Sequence, residues 1–279
     1  MYNKFDVMKK EYNFLKKISK QVRYETIKLV HLTKTAHLGS SLSCIDILVA
    51  SYFSKKGLKN NVNNFKNIKE TFILSKGHAA PALYAVLQKK KYISKKVLYS
   101  YSKPNSFLEE HPNIKVNGVL VSSGSLGHGL SYAAGLSLGD KINKKKNRHI
   151  VLMSDGECNE GSVWEAAMFI TGKKLKNIMI FIDCNKWQAT EKTDKILKIE
   201  PIKNKWESFG WKVYEINGHN FKSIDKVFNK FNNNPMPTAV ICRTIKGKGI
   251  SFMEDDNLWH YRSPDRKEFI KAKEELSIK

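Results

Sequence analysis

The stretch that decides the fold lies near the middle of the chain and reads Met153-Ser154-Asp155-Gly156-Glu157-Cys158-Asn159-Glu160-Gly161. The apolar run 149–153 in front of it predicts a buried β-strand. The segment 162–170 behind it has the apolar spacing of a helix. The acidic stretch is therefore the turn between a strand and a helix. In an open α/β sheet, ligands bind at such turns, beyond the carboxyl ends of the strands.

A second buried strand is predicted at 178–182, and it runs into Asp183-Cys184-Asn185. If the two strands are neighbours, the side chains of Asp155 and Asn185 reach one point in space. A carboxylate and an amide oxygen form a hard oxygen pair that suits Mg²⁺ or Ca²⁺. The simplest third protein ligand is the backbone carbonyl of Trp187.

Gly156 follows the acidic residue and lies close to the start of the predicted helix. A glycine lets a ligand approach the backbone closely, and a helix N-terminus favours anions. The residues by themselves indicate a diphosphate bridged to a metal ion. An ordinary acidic turn in an α/β domain is the alternative that this motif alone leaves open.

The rest of the chain alternates strand and helix patterns, including a helical N-terminal part over about 1–35 and a strand at 119–122. This alternation predicts an α/β fold, a doubly wound, mostly parallel sheet with helices on both faces. The glycine-rich turn after 119–122 does not have the Gly-x-Gly-x-x-Gly spacing of dinucleotide-binding proteins. No repeat or linker interrupts the pattern, so we expect a single domain over 1–279, with an Asn- and Lys-rich loop at 60–69 and the N-terminal helix as an extension.

The formal net charge of +23 raises the question of nucleic-acid binding. Of the 49 basic residues, however, five are arginine, the usual reader of bases and bidentate partner of phosphate. The lysines are scattered through every predicted helix instead of forming one basic face. A solvated lysine surface is therefore favoured, and we expect no nucleic-acid partner.

The sequence contains no apolar run of about eighteen residues and no N-terminal secretion signal, so no membrane contact is expected. The cysteines are dispersed and form no Cys-x-x-Cys pair; they are Cys44, Cys158, Cys184 and Cys242. Reduced, buried thiols of a cytoplasmic protein are the expectation that follows.

Six further short motifs lie along the chain before and after the two strand ends. They are Ala36-His37-Leu38-Gly39, Lys76-Gly77-His78-Ala79, Glu110-His111-Pro112, Gly124-Ser125-Leu126-Gly127-His128-Gly129, Gly218-His219 and Trp259-His260. With Asp155-Gly156-Glu157 and Asp183-Cys184-Asn185, they make the chain resemble the N-terminal half of transketolase over essentially its whole length. The two acidic segments resemble the thiamine diphosphate (ThDP) motif, with Ser154 and Cys184 where glycine and asparagine are usual.

The resemblance implies a role for each matching residue. Asp155 and Asn185 would hold Mg²⁺, for which Ca²⁺ is a possible substitute, and the Trp187 carbonyl would complete the protein ligands. The diphosphate and the approach of the cofactor would be lined by His78, Gly124, Leu126, Gly156 and Asn185. The reacting carbon and the sugar hydroxyls would face His37, His111 and His260, where neutral imidazoles can move protons.

The resemblance also implies the reaction. A transketolase moves a two-carbon ketol unit from a ketose phosphate to an aldose phosphate, as in the pentose phosphate pathway, and the cofactor carries out the difficult step. Full-length transketolases continue into a pyrimidine-binding domain, for which this sequence has no candidate segment. We therefore expect the N-terminal subunit of a split transketolase, active only with a separate C-terminal subunit that carries the pyrimidine-binding domain, in a heterotetramer that acts on sugar phosphates.

Other functions remain open at this point. Three of them share the cofactor: the α subunit of a 2-oxo acid dehydrogenase, a deoxyxylulose phosphate synthase and a transketolase for a specialised sugar. The histidines His37, His78, His111 and His260 favour transketolase over the dehydrogenase, and the synthase usually has both halves in one chain. A non-enzymatic binding protein with a degenerate fold is a fourth alternative, against which the motif residues Asp155, Asn185 and His78 argue.

Overall fold

The computed structural model describes residues 4–58 and 70–278, so the loop predicted at 60–69 lies outside the described residues. The strands are β1 (Glu70–Leu74), β2 (Arg148–Ser154), β3 (Ile178–Cys184), β4 (Lys212–Asn217) and β5 (Thr238–Arg243). The helices are α1 (Lys4–Thr33), α2 (Leu38–Ser43), α3 (Ile45–Phe53), α4 (Ala80–Lys89), α5 (Lys95–Leu98), α6 (Gly129–Ile142), α7 (Gly161–Gly172), α8 (Thr193–Ile196), α9 (Ile202–Ser208), α10 (Phe221–Asn233) and α11 (Arg266–Glu275).

All the strands pair in parallel, in the order β1-β2-β3-β5-β4. A parallel sheet is covered on both faces, which explains why the strands read as continuous apolar runs. In the register of β2 and β3, Met153 lies opposite Ile182 and Ser154 lies opposite Asp183. The two central strands therefore end side by side, and the α/β prediction with a mostly parallel sheet is confirmed.

Successive residues of β3 point into two different cores. Met179 and Phe181 belong to a core that includes apolar residues of α1, α3, α4 and α10. Ile180 and Ile182 belong to a second core, together with apolar residues of α6, α7 and α9. This period-two alternation places helices on both faces of the sheet, which is the doubly wound arrangement that the sequence predicts.

Helix α1 spans 30 residues without a break and packs against α3 and α4. Its apolar residues Leu15, Val22 and Val30 are buried completely. Lysines separate these residues along the sequence, so the helix presents one apolar stripe to the protein and a charged stripe to the solvent. Within the described residues, no helix is both long and apolar enough to cross a membrane.

The prediction of a strand at 119–122 is wrong, because this segment is irregular in the structure. The Val119 N–H bonds to the Val116 carbonyl at 2.9 Å, and the Ser123 N–H bonds to the Pro112 carbonyl at 3.1 Å. The segment reaches the edge strand β1 through a side chain, since Ser123 Oγ donates to the Leu74 carbonyl at 2.6 Å. The N–H groups of Val119 and Ser123 thus bond within the loop and not to β1, so the apolar pattern did not lead to sheet pairing.

Candidate active site

Side chains that follow β1, β2 and β3 meet at the carboxyl edge of the sheet. Asp155 comes directly after β2 and Asn185 directly after β3. The two loops are joined by a backbone hydrogen bond in which the Asp155 N–H donates to the Asp183 carbonyl at 3.3 Å. The structure therefore brings the two predicted metal ligands to neighbouring positions of one edge.

The Asp155 carboxylate is buried and tightly held. One oxygen accepts from the Gly156 N–H at 3.0 Å, and the other accepts from the Lys186 N–H at 3.0 Å and from Thr193 Oγ1 at 3.3 Å. Burial, reinforced by the nearby charge of Asp183, raises the pKa of Asp155 to about 6. A bound cation would favour the charged form again, so this carboxylate fits a metal site.

The Asn185 amide is oriented by its neighbours. Its Nδ2 points to Ser43 Oγ at 3.3 Å and to Asp183 Oδ2 at 3.4 Å, and its Oδ1 accepts from the Trp187 N–H at 3.0 Å. Trp187 is fixed in turn, because its Nε1 donates to Asp255 Oδ1 at 2.7 Å. No group of three or more His, Cys, Asp or Glu side chains that could hold a metal occurs among residues 4–58 and 70–278. A set of one carboxylate, one amide and one carbonyl fits a hard cation that also binds phosphate oxygens.

Gly156 lies beneath a glutamine side chain that the sequence analysis did not single out. A Cβ added at Gly156 would lie 2.9 Å from Gln188 Cγ. The buried Gln188 Nε2 has no hydrogen-bond partner among the described residues. Buried donors are normally satisfied, so an unpaired amide beside this turn fits an anionic ligand such as a diphosphate. Its position three residues after Asn185 is the signal that could have identified it.

Three of the predicted histidines form a cluster, although they come from distant parts of the sequence. The ring centroid of His37 lies 5.0 Å from that of His260 and 5.4 Å from that of His78, and His78 and His260 are 6.1 Å apart. The His37 N–H donates to the His260 carbonyl at 2.6 Å. His37 has a left-handed backbone conformation with φ of 68°, which is uncommon outside glycine and typical of functional loops.

The clustered histidines are neutral at physiological pH. Burial lowers the pKa of His37 to about 4 and that of His260 to about 3. Burial lowers the pKa of His78 well below its ordinary value, and the charge of Lys76 adds to this effect. A neutral imidazole can donate from one nitrogen and accept at the other, which is what proton transfer to and from hydroxyl groups requires.

His111 lies at the rim of this site, not in the cluster. Its side chain is exposed, and its carbonyl accepts from the Tyr84 hydroxyl at 2.9 Å. Its ring packs on Gly124, where an added Cβ would lie 3.3 Å from His111 Cδ2. Leu126 is half-buried in the same turn, which the Gly127 N–H fastens by donating to the buried Glu157 carboxylate at 2.8 Å. The turn that carries Gly124 and Leu126 is therefore anchored beside the β2 end.

Two buried lysines at the site were missed by the sequence analysis. Lys76 Nζ lies 2.5 Å from Asp183 Oδ2 and donates to the Ser40 carbonyl at 2.9 Å. Lys246 Nζ lies 3.1 Å from His260 Nδ1 and 2.5 Å from Asn257 Oδ1. Burial, followed by the charge of Lys76, lowers the pKa of Lys246 to about 8. The signal for both is a lysine beside a glycine shortly after a buried strand.

Gly77→Ala is expected to disturb the site, because the turn after β1 touches the backbone of the 123–129 turn. An added Cβ would lie 3.0 Å from the Gly124 nitrogen and 3.1 Å from the Ser123 carbonyl carbon. Backbone atoms cannot move aside cheaply, so we expect a loss of about 1–3 kcal/mol in the free energy of unfolding, measured with urea. The matched control is Gly139→Ala in α6, where nothing lies within 4 Å of the added Cβ. It should be neutral or stabilising by up to about 1 kcal/mol, and equal destabilisation by both variants would contradict this explanation.

A doubly wound sheet that presents a carboxylate, an amide oxygen, buried lysines and neutral histidines at one edge defines an α/β domain for a phosphate-bearing cofactor. The family described as "Transketolase, thiamine diphosphate binding domain" matches residues 15–279. The chain belongs to this family, and the predicted resemblance to the N-terminal half of transketolase is confirmed.

Individual relatives agree with this assignment. The chain is 36% identical over 260 residues to a subunit of the apulose-4-phosphate transketolase of Phocaeicola vulgatus, covering 93% of this chain and 92% of the relative. It is 35% identical over 235 residues to 6-deoxy-6-sulfo-D-fructose transketolase subunit SqwG of Clostridium sp., covering 84% and 85%. The predicted enzyme class, transketolase, is supported by both names.

The fold agrees with solved structures as well. Transketolase from Campylobacter jejuni superposes with a TM-score of 0.86 at 24% identity, over 95% of this chain and 43% of that chain. At this level of identity the likeness concerns the fold alone. The chain thus spans less than half the length of that solved transketolase.

Proposed function

We propose that the chain is the ThDP-binding N-terminal subunit of a two-chain transketolase, which transfers a two-carbon ketol unit from a ketose phosphate to an aldose phosphate. The observation that carries the proposal is the neutral cluster of His37, His78 and His260, at the same sheet edge as Asp155 and Asn185. The α subunit of a dehydrogenase does not account for this histidine set, and the family assignment favours transketolase over it.

Several of the chain's own residues would hold the cofactor. Asp155, Asn185 and the Trp187 carbonyl would bind Mg²⁺, or Ca²⁺ in its place, and Gly156, Asn185 and His78 would contact the diphosphate. Gly124 and Leu126 would line the cofactor's approach. When bound, ThDP would supply the carbon nucleophile and the electron sink that ketol transfer requires.

The histidines would handle protons and hydroxyl groups of the sugar. Lys246 Nζ lies 3.1 Å from His260 Nδ1, and an ammonium group can only donate. The His260 proton would therefore reside on Nε2, where it would be available to a substrate oxygen. His37 packs against His260, and His111 stands at the exposed rim where the sugar would enter. Because His37 and His260 titrate far below pH 7, their neutral forms persist across the physiological range.

The relatives support a partner chain, because those named as subunits match this chain over most of their own length. We propose a separate C-terminal subunit carrying the pyrimidine-binding domain, within a cytoplasmic heterotetramer. Helices α6 and α7 offer a surface for such contacts, since Tyr132, Leu136, Met168 and Phe169 are exposed there. Gly135 in the same surface has open space where a side chain would stand, which permits close approach of another chain.

Calorimetric titration of ThDP with Mg²⁺ tests the proposal directly. Binding should be weak to the chain alone and stronger by about tenfold or more with the C-terminal subunit, because the cofactor would lie between the two chains. Turnover of a ketose phosphate with an aldose phosphate should require both chains. Full turnover by this chain alone would contradict a split active site, and absence of ThDP binding with and without the partner would contradict the function itself.

Leu136→Lys tests the proposed contact surface. A lysine in the middle of an apolar interface loses its hydration, so the dissociation constant of the assembly should rise about tenfold or more in light-scattering titrations. Ile270→Lys in α11 is the matched control, since Ile270 is 46% exposed and Leu136 is 41% exposed. Equal effects of the two variants would place the contact elsewhere.

A transketolase for a specialised sugar is the second candidate, favoured by the names of the two relatives, which specify apulose-4-phosphate and 6-deoxy-6-sulfo-D-fructose. Assays of the two-chain enzyme with ketose phosphates of five to seven carbons and with a sulfonated ketose distinguish the candidates. A preference of more than about a hundredfold for one unusual sugar would favour the specialised function.

A further inference from the structure

We propose that Arg23, Asp46 and His219 form a buried clamp that positions Lys246 against His260, with His219 as a positioning residue for the active site. The catalytic meaning of this clamp rests on the proposed function. The geometry of the clamp is independent of that function, because every contact that defines the clamp lies within this chain.

The Asp46 carboxylate is the centre of the clamp. It accepts two hydrogen bonds from Arg23, at 3.1 and 2.6 Å, and a third from His219 Nδ1 at 2.8 Å. The side chains of Arg23 and Asp46 are 8% exposed and that of His219 is 13% exposed. Arg23 belongs to α1, Asp46 to α3, and His219 to the turn after β4, so the carboxylate ties three separate parts of the fold together.

Both partners of Asp46 also hold the loop that carries Lys246. The Ile245 N–H donates to His219 Nε2 at 3.0 Å, just before Lys246 in the chain. Arg23 Nε donates to the Lys248 carbonyl at 2.9 Å, two residues after Lys246. The lysine is therefore fixed from both sides by side chains that share one carboxylate.

The same loop is so closely packed that two of its positions have no room for a side chain. Gly247 has φ of +76°, and a Cβ there would lie 1.9 Å from the Met253 carbonyl oxygen. Gly249 has φ of +97°, and a Cβ there would lie 2.7 Å from the Arg23 side chain. The loop is shaped around the clamp, and Lys246 Nζ is thereby directed at His260 Nδ1, 3.1 Å away.

The hydrogen bonds fix the proton on two imidazoles. His219 Nε2 accepts from a backbone N–H, so the proton of His219 is on Nδ1, which donates to Asp46. His260 Nδ1 accepts from Lys246, so the proton of His260 is on Nε2. Contacts therefore run from His219 Nε2 through the loop of Lys246 to His260 Nδ1. A histidine with only a structural role would not influence the tautomer of His260.

Two variants of His219 separate its two bonds. His219→Gln retains an oxygen acceptor near the Nε2 position, and His219→Asn retains an N–H donor near the Nδ1 position but loses that acceptor. We expect His219→Asn to reduce kcat/KM of the two-chain enzyme about tenfold. His219→Gln should retain most of the wild-type kcat/KM. His31→Asn, at a histidine that bonds to the Pro264 carbonyl away from this loop, is the control and should leave kcat/KM unchanged.

The decisive readout is the ¹⁵N NMR spectrum of the histidine rings in the chain without cofactor. The wild type and His219→Gln should show His260 protonated on Nε2, and His219→Asn should shift His260 toward a mixture of tautomers. An unchanged His260 signal in His219→Asn, or equal effects of the two variants, would overturn the proposal. If the wild type fails to bind ThDP, the proposed function fails while the NMR result still decides whether the clamp positions Lys246.

Discussion

Replacing Asp155 with alanine is expected to weaken Mg²⁺-dependent binding of ThDP by more than about a hundredfold. The carboxylate supplies the charged oxygens of the proposed metal site, and the amide of Asn185 and the carbonyl of Trp187 are neutral ligands that cannot replace its charge. Calorimetric titration with Mg²⁺ present measures the change. Asp194→Asn in the neighbouring helix α8 is the control, because Asp194 is exposed and should leave the affinity unchanged.

The same carboxylate should make the stability of the cofactor-free protein depend on pH. The pKa of Asp155 is raised from its ordinary value of 3.8 to about 6 in the folded state. The folded chain therefore binds the proton more tightly than the unfolded chain, and folding loses up to about 3 kcal/mol as the pH rises from about 4 to about 6. Urea unfolding across this range measures the slope.

Asp155→Asn should remove this slope, because the side chain no longer titrates. In the wild type, Mg²⁺ with ThDP should reduce the pH dependence of the stability, since a cation beside the carboxylate favours the charged form. An identical pH slope in the wild type and in Asp155→Asn would show that other groups control the stability in this range.

Lys76→Met is expected to cost about 3–5 kcal/mol in the free energy of unfolding. Lys76 and Asp183 form an ion pair at 2.5 Å whose side chains are completely buried. The positive charge of Lys76 holds the pKa of Asp183 below its ordinary value in spite of burial. Without the lysine, Asp183 keeps hydrogen bonds from Ser43 and Thr244 but has no cation to balance its buried charge.

The double variant Lys76→Met/Asp183→Leu provides the control. Removing both charges eliminates the uncompensated carboxylate, so the double variant should be more stable than the sum of the single effects by about 2 kcal/mol or more. Urea unfolding of the wild type, the two single variants and the double variant closes this cycle. Additive costs would mean that the two groups do not interact, in contradiction to their contact in the structure.

The sequence predicted the central strands and the fold class correctly because burial on both faces leaves a strong signal. The runs 149–153 and 178–182 are apolar at nearly every position, and both became central strands of the sheet. The segment 119–122 has a similar local composition but lies beyond an edge strand, where side-chain bonding to β1 replaced backbone pairing. An apolar pattern indicates that a segment is buried, but it does not indicate which part of the protein covers that segment.

The candidate site was recovered only in part. His37, His78 and His260 were identified from motifs, and the structure brings them together, whereas His111 lies at the rim. Lys76 and Lys246 were absent from the predicted site, because lysine normally indicates solvent exposure in a chain of this composition. Their burial depends on partners that are distant in sequence, such as Asp183 for Lys76 and the Gln188 carbonyl for Lys246.

The sequence by itself determined the parallel α/β architecture, the strand-end positions of Asp155 and Asn185, and the resemblance to transketolase. Each of these features depends on short runs of residues and their spacing, so it can be recognised without the tertiary structure. The tertiary structure decided which imidazoles are neutral, which lysines are buried, and how Asp46 connects His219 to the loop of Lys246. Those properties depend on burial and on contacts between segments as far as 225 residues apart, as for Arg23 and Lys248. The energy of a charge is set by its surroundings in space.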